Sequence, residues 1–161
     1  MRRQDRAISD RAEIDAILRR ETVCRVAFAV GSQPYMVPLS YGYSPERHAL
    51  YFHTAREGKK IDCIRTNPTV CFEVEGPAVV KPGTGDACTW GLQFESVIGY
   101  GTLVELISDA DRAEALGVLM KQQSGTTRKD WTYNERVLSS TCVWRLTIER
   151  VTGKRAQVSA E

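Results

Sequence analysis

Histidine is scarce, with two in 161 residues, so a metal held by three imidazoles of one chain is excluded. The five cysteines, Cys24, Cys63, Cys71, Cys88 and Cys142, are odd in number and scattered. They lack the close pairs that zinc ribbons and thioredoxin-type sites require, so neither a metal site nor a disulfide framework is expected. Cys24, Cys71 and Cys142 stand among apolar or β-branched neighbours and read as small core residues. No apolar run approaches the ~20 residues of a membrane span. The stretch Met1 to Arg20 has no signal-peptide-like apolar core, which makes a cytoplasmic chain without a membrane partner the expectation. Charge of one sign is missing as well. Lys plus Arg total 22 against 20 acidic residues, and a net charge of +2 is too small for a nucleic-acid-binding coat. The Gly-x-x-x-x-Gly-Lys phosphate loop, the Gly-x-Ser-x-Gly elbow and the His-Glu-x-x-His zinc helix are all absent. The two Gly-x-Gly fragments, Gly83 to Gly85 and Gly99 to Gly101, lack the third glycine of a dinucleotide-binding turn.

What is present is ordinary globular composition, 42% hydrophobic and 26% charged, at the length of one domain over residues 1–161. A helix is predicted to open at Asp10, with Glu13 placed for a capping box and Ile14, Ile17 and Leu18 forming one stripe. Runs rich in β-branched and aromatic residues follow at Thr22 to Val30, Tyr35 to Tyr43, Ala49 to His53 and Thr69 to Glu75. The short breaks Gly31-Ser32-Gln33-Pro34 and Ser44-Pro45-Glu46-Arg47 suit antiparallel hairpins. Gly58 to Arg65 reads as a short helix closed by Asn67-Pro68. Gly76 to Trp90 reads as a long loop, about Phe94 to Leu106 as a strand, and the stretch from Ser108 to Ser124-Gly125 as a second helix. Tyr133 to Leu138 suits one helical turn, and Thr141 to Val151 a last alternating strand. Six strands with peripheral helices make a mainly β (α+β) fold. Closing them into a small antiparallel barrel would remove exposed sheet edges.

One segment concentrates chemistry: Tyr51-Phe52-His53-Thr54-Ala55-Arg56-Glu57-Gly58-Lys59-Lys60-Ile61-Asp62. It joins a strand end to a helix start, where free amides attract anions and Gly58 permits close approach. The Thr54 hydroxyl and the Lys59 and Lys60 ammonium groups would add donors for a terminal phosphate. Two readings stand side by side, a phosphate clamp or a solvated helix face. His53 shares strand parity with Tyr51 and opposes Phe52, so it points either into a half-buried core or toward a ligand at the strand end. Tyr35, Tyr41, Tyr43 and Trp90 are available to wall an aromatic ligand or to pack a core.

Taken in order, several segments resemble the FMN-binding split-barrel proteins related to pyridoxamine 5′-phosphate oxidase, and within them the nitroimidazole-resistance branch. They are Thr22-Val23-Cys24-Arg25-Val26-Ala27, Pro34 through Tyr43, Leu50 through Ala55, Gly58-Lys59-Lys60-Ile61-Asp62, Asn67-Pro68 with Val70-Cys71-Phe72-Glu73, Ser96 through Gly101, and Thr152-Gly153-Lys154-Arg155. The resemblance implies a homodimer of six-stranded antiparallel split β-barrels with FMN in two clefts at the subunit interface. It further implies that Met36, Val37, Pro38, Leu39 and Ser40 follow the isoalloxazine edge, that His53, Thr54, Lys59 and Lys60 approach the ribityl phosphate, and that Ser96 lies beside the flavin. His53 is the implied catalytic residue, near both flavin and substrate. Two positions depart from the family pattern. Ser40 replaces an asparagine, and Thr89-Trp90-Gly91 replaces an Asp-Trp-Ser type of loop.

The function implied is an FMN-dependent oxidoreductase. A reduced nicotinamide would supply electrons to a small electrophilic substrate such as a nitroaromatic, with His53 as a proton donor. The alternative implied by the same barrel is a non-catalytic flavin- or haem-binding protein. A third possibility is a stress or interaction protein with an empty cleft.

Overall fold

The computed structural model describes residues 3–126, 128 and 130–156, and the single domain expected over 1–161 extends past them at both ends. The first helix, α1 (Arg11–Arg20), starts where Asp10 accepts a hydrogen bond from the Ala12 amide at 2.8 Å. The capping box is only half made, because Glu13 turns away to pair with Arg155. Ile14, Ile17 and Leu18 are buried as the stripe predicts. Before α1, the two-residue β1 (Ala7–Ile8) pairs with the end of the chain.

Strands β2 (Val23–Val30) and β3 (Gln33–Ser40) form a hairpin whose turn is Gly31-Ser32, with Gly31 at φ +64°. The run expected as one strand to Tyr43 breaks at Tyr41. β3 ends at Ser40, and β4 (Gly42–Ser44) pairs with β5 (Ala49–Ala55) instead of β2. The break has a physical cause. The Tyr41 ring is fully buried, its hydroxyl donates to the Leu18 carbonyl at 2.8 Å, and its amide donates to the Thr22 carbonyl. At Gly42 the backbone of α3 (Asp109–Ser124) comes so close that an added Cβ would sit 2.5 Å from Leu119 Cα.

The short helix α2 (Lys59–Thr66) leads into β6 (Thr69–Glu75). The expected loop Gly76 to Trp90 contains a further strand, β7 (Val79–Lys81), which draws the start of β8 (Gly91–Glu105) forward to pair with it. After α3 come the one-turn α4 (Glu135–Ser139), capped by the Asn134 side chain, and the long β9 (Thr141–Ala156). β9 outruns its expected end at Val151 because β8 and β1 supply partners up to Ala156.

The sheet therefore has nine strands rather than six, with the path β3-β2-β6-β8-β9-β5-β4 and with β1 and β7 at its margins. All pairings are antiparallel. The two ends of the path, β3 and β4, are consecutive stretches joined only through Tyr41, so the sheet curls around on itself. Strand alternation sends Val26, Phe28, Leu50, Phe52, Val70, Phe72, Val97, Trp144 and Leu146 into the curl as the main core, each large side chain stabilising by about 1.5–3 kcal/mol. A second cluster joins the outer face of β5 and β9, through Ala49, Tyr51 and Val143, to Ala115 and Leu116 of α3. Among the described residues no helix is long and apolar enough to cross a membrane.

Candidate functional site

Alternation along β3 divides its residues between two faces. Tyr35, Val37 and Leu39 are partly buried against the main core. Met36 and Pro38 are exposed and Ser40 half-buried on the outer face, in register with Ala27, Arg25 and Val23 of β2. Met36 is 60% exposed, unusual for a large apolar side chain in the middle of a paired strand.

β5 delivers the second group. Its even positions, Leu50, Phe52 and Thr54, are buried, and its odd positions face outward. α3 covers Ala49 and Tyr51 but leaves His53 exposed beside its register partner Val143. Of the two orientations left open for His53, the structure has the outward one. Thr54 behaves differently from expectation. It is buried, its oxygen accepts from Trp144 Nε1 at 2.9 Å, and its hydroxyl proton is spent on the Ala55 carbonyl at 2.8 Å. The side chain is therefore not an outward donor, because a hydroxyl has one proton to give.

The start of α2 follows directly. Gly58 takes φ +116°, a conformation rarely open to side-chain-bearing residues, and its carbonyl accepts from the Ile61 and Asp62 amides. The Lys59 and Lys60 amides precede these first helical bonds, leaving two N–H groups for an outside acceptor. The Lys59 ammonium sits 4.4 Å from the Tyr35 ring centroid, a cation–π contact that ties the helix start to the beginning of β3. Lys60 is half-buried. Arg56 is engaged by the Ser139 carbonyl at 3.2 Å. The Lys59–Tyr35 contact thus joins the helix start to β3 on the side of Tyr35, Val37 and Leu39, opposite Met36, Pro38 and Ser40, and His53 lies six residues before Lys59.

Ser96 stands apart. It lies on β8, in register with Glu75 and Lys154, whereas His53 is in register with Val143 on the same strand β9. At ~3.3 Å per residue the two positions are roughly 35 Å apart along β9.

The outer face carries further groups that sequence reading passed over. Arg25, opposite Pro38, bonds Glu73 at 3.0 Å and Glu75 at 2.9 Å. Burial pushes the Glu73 carboxyl up, partly offset by Arg25. Ile98 and Tyr100 are exposed on β8, with the Arg150 guanidinium 4.2 Å from the Tyr100 ring centroid. The signal for these was strand parity, usable only once the β2–β3 and β6–β8 registers were known. The largest cavity described, about 680 Å³ between the N-terminal arm and Arg155, contains none of the candidate residues. They lie on an open face.

This donor set suits an elongated ligand with an anionic end. Two amides and two ammonium groups at a helix start are donors of the kind a phosphate takes, an extended strand with exposed apolar side chains suits a flat ring, and an imidazole precedes the helix by six residues. Comparison with known proteins gives the fold and the family. No curated protein matches the chain in sequence. Among solved structures, the chain is similar to a putative 5-nitroimidazole antibiotic resistance protein from Bacteroides thetaiotaomicron (24% identity, 92% of this chain and 86% of that one, TM-score 0.79). It is similar also to an FAD-binding protein from Mesorhizobium loti (29% identity, 94% and 98%, TM-score 0.67). An FAD and heme binding protein from Mycobacterium smegmatis shares the fold at 17% identity (97% and 76%, TM-score 0.83). The family model described as pyridoxamine 5′-phosphate oxidase matches residues 10–155, and the chain belongs to that family.

Proposed function

We propose that the protein is an FMN-dependent oxidoreductase that works as a homodimer and reduces small electrophilic substrates of the nitroaromatic class, with a reduced nicotinamide as electron donor. The feature that carries this reading is the Lys59–Lys60 helix start, with two amides ahead of the first helical bonds and two ammonium groups, six residues after the outward-facing His53 and joined to β3 through Tyr35. The phosphate end is held by the two lysines and their amides, and Met36, Pro38 and Ser40 line the ring. A terminal phosphate, carrying nearly two charges near neutral pH, suits two lysines at a helix start, which favours FMN over FAD. The flavin, when bound, supplies the redox chemistry. The chain's own residues bind it, orient it and exclude water from one face, and His53 is positioned to give a proton to a substrate over that face. Family membership supports the flavin, and the likeness to a nitroimidazole resistance protein supports the substrate class.

A second reading, flavin or haem binding without turnover, draws support from neighbours named for binding FAD and heme. One experiment separates the two. Purified protein loaded with FMN is reduced anaerobically with NADH or NADPH and then given a nitroimidazole. Steady loss of the nitro absorbance supports the enzyme, and no turnover with either donor supports the binding protein. His53→Gln is expected to lower the turnover while leaving FMN affinity within about twofold, since the imidazole is assigned to the substrate side.

A further inference from the structure

Behind the helix start lies a buried relay that the binding residues do not explain. Trp144, 4% exposed, stands on the inner face of β9 opposite Phe52. Its indole reaches diagonally to Thr54, as long side chains do across an antiparallel pair, and donates to Thr54 Oγ1 at 2.9 Å. An indole N–H can only donate, so the threonine oxygen must accept. The hydroxyl proton then goes to the Ala55 carbonyl at 2.8 Å. Ala55 is the last residue of β5, and the chain after it bends through Arg56, Glu57 and Gly58 into Lys59. On the solvent side the same bend is held by Arg56 on the Ser139 carbonyl. The bend is thus tied from both sides, and in the inner tie the indole N–H and the threonine hydroxyl each have a partner, the condition under which a buried polar chain rigidifies its surroundings.

We propose that Trp144 is a positioning residue for the anion clamp. Acting through Thr54, it fixes the direction in which the chain leaves β5, and so aims the Lys59 and Lys60 amides and ammonium groups at the phosphate. Trp144 is buried on the opposite face of the sheet from His53 and acts only through Thr54. This inference rests on the FMN reading above.

The test compares FMN with riboflavin, which has the same ring and ribityl chain but no phosphate. Dissociation constants for both are measured by flavin fluorescence on flavin-free wild type, Trp144→Phe, Thr54→Val, the double variant and Thr54→Ser. The flavin-free melting temperature of each is recorded alongside. The preference for FMN over riboflavin is expected to fall ~10-fold in Trp144→Phe and in Thr54→Val, with no further fall in the double variant. Riboflavin affinity is expected to stay near wild type, and Thr54→Ser, which keeps the hydroxyl, to retain more of the preference than Thr54→Val. Parallel weakening of both ligands, or an unchanged preference in all variants, would overturn the positioning role and leave the FMN reading intact. If Trp144→Phe does not fold, the contrast between Thr54→Val and Thr54→Ser decides alone. A wild type that binds riboflavin as tightly as FMN overturns the clamp, and this role with it.

Discussion

Lys59 and Lys60 occupy unequal surroundings although they are adjacent. Lys59 is exposed and stacked over Tyr35, while Lys60 is half-buried on the first turn of α2. Neither makes a salt bridge among the described residues, so both ammonium groups are free to meet a phosphate. Hydrogen bonds to charged groups contribute about 1.5–3 kcal/mol each, reduced here by exposure. Lys59→Ala with Lys60→Ala is therefore expected to weaken FMN binding ~10- to 100-fold with little change in melting temperature. Equilibrium titration with FMN checks it, and unchanged affinity would reject the clamp. His48 gives a prediction of another kind. It sits at the β4–β5 turn with φ +51°, and its ring nitrogens lie 3.2 and 2.5 Å from the Arg11 guanidinium, which also bonds Asp15 and the Tyr43 hydroxyl. Burial and Arg11 hold the imidazole below its ordinary value near 6.5, while Asp15 pulls the other way. Folded protein then binds fewer protons here than unfolded protein. The contribution is complete above about pH 6.5 and is lost as pH falls through the depressed native value. Melting temperatures between pH 7 and 5 should fall less steeply in His48→Asn, whose side chain tolerates the left-handed backbone. An identical slope would remove His48 from the acid response.

Among the elements, α3 is seated more tightly than its sequence suggests. Gln122 and Gln123 donate to the carbonyls of Leu18, Glu21, Thr22 and Tyr41, and Gln122 accepts from the Tyr43 amide. The helix is thereby sewn over the place where β3 becomes β4, and Gly42 allows the contact. Gly42→Ala is expected to cost about 1–3 kcal/mol through overpacking and to lower the melting temperature by several degrees. A neutral melt would mean that α3 can retreat without loss. This junction also marks the limit of what sequence reading could see. All six expected strands and all four expected helical stretches exist because their alternation, caps and turn residues are local signals. The break at Tyr41 was invisible, since it depends on a hydroxyl reaching Leu18 and on α3 pressing against Gly42. β1 and β7 are too short to carry a period, and they form only because β9 and β8 present open edges. At the site, the His53 to Lys60 segment was legible as a strand end meeting a helix start. The inward turn of Thr54 was not legible, because the chemistry that fixes it belongs to Trp144, ninety residues away.

In the molecule as a whole, the face bearing Met36, Pro38, Ile98 and Tyr100 is left exposed among the described residues, while α3 covers the neighbouring face of β5 and β9. Ile98 is 43% exposed and Tyr100 40%, and both share the outer side of β8 with Ser96. Ser96 and His53 of one chain are separated by eleven register positions along β9, and in the proposed homodimer residues of both kinds would come to one cleft from two chains. That is the physical content of the proposed homodimer: cofactor binding and association use one surface and should fail together. Ile98→Lys tests this directly. The site is already solvated in the single chain, and Glu73 is its register partner, so the new ammonium group has a local counter-charge and folding should be little affected. At a subunit interface the same charge would be desolvated and would oppose association by several kcal/mol. Light scattering and sedimentation are expected to give a dimer for wild type and a monomer for Ile98→Lys at equal concentration, with FMN affinity down at least ~10-fold although no residue of the phosphate clamp has changed. A variant that stays dimeric and binds FMN normally would show that association does not use this face. A monomeric variant with full FMN affinity would show that one chain suffices to hold the cofactor.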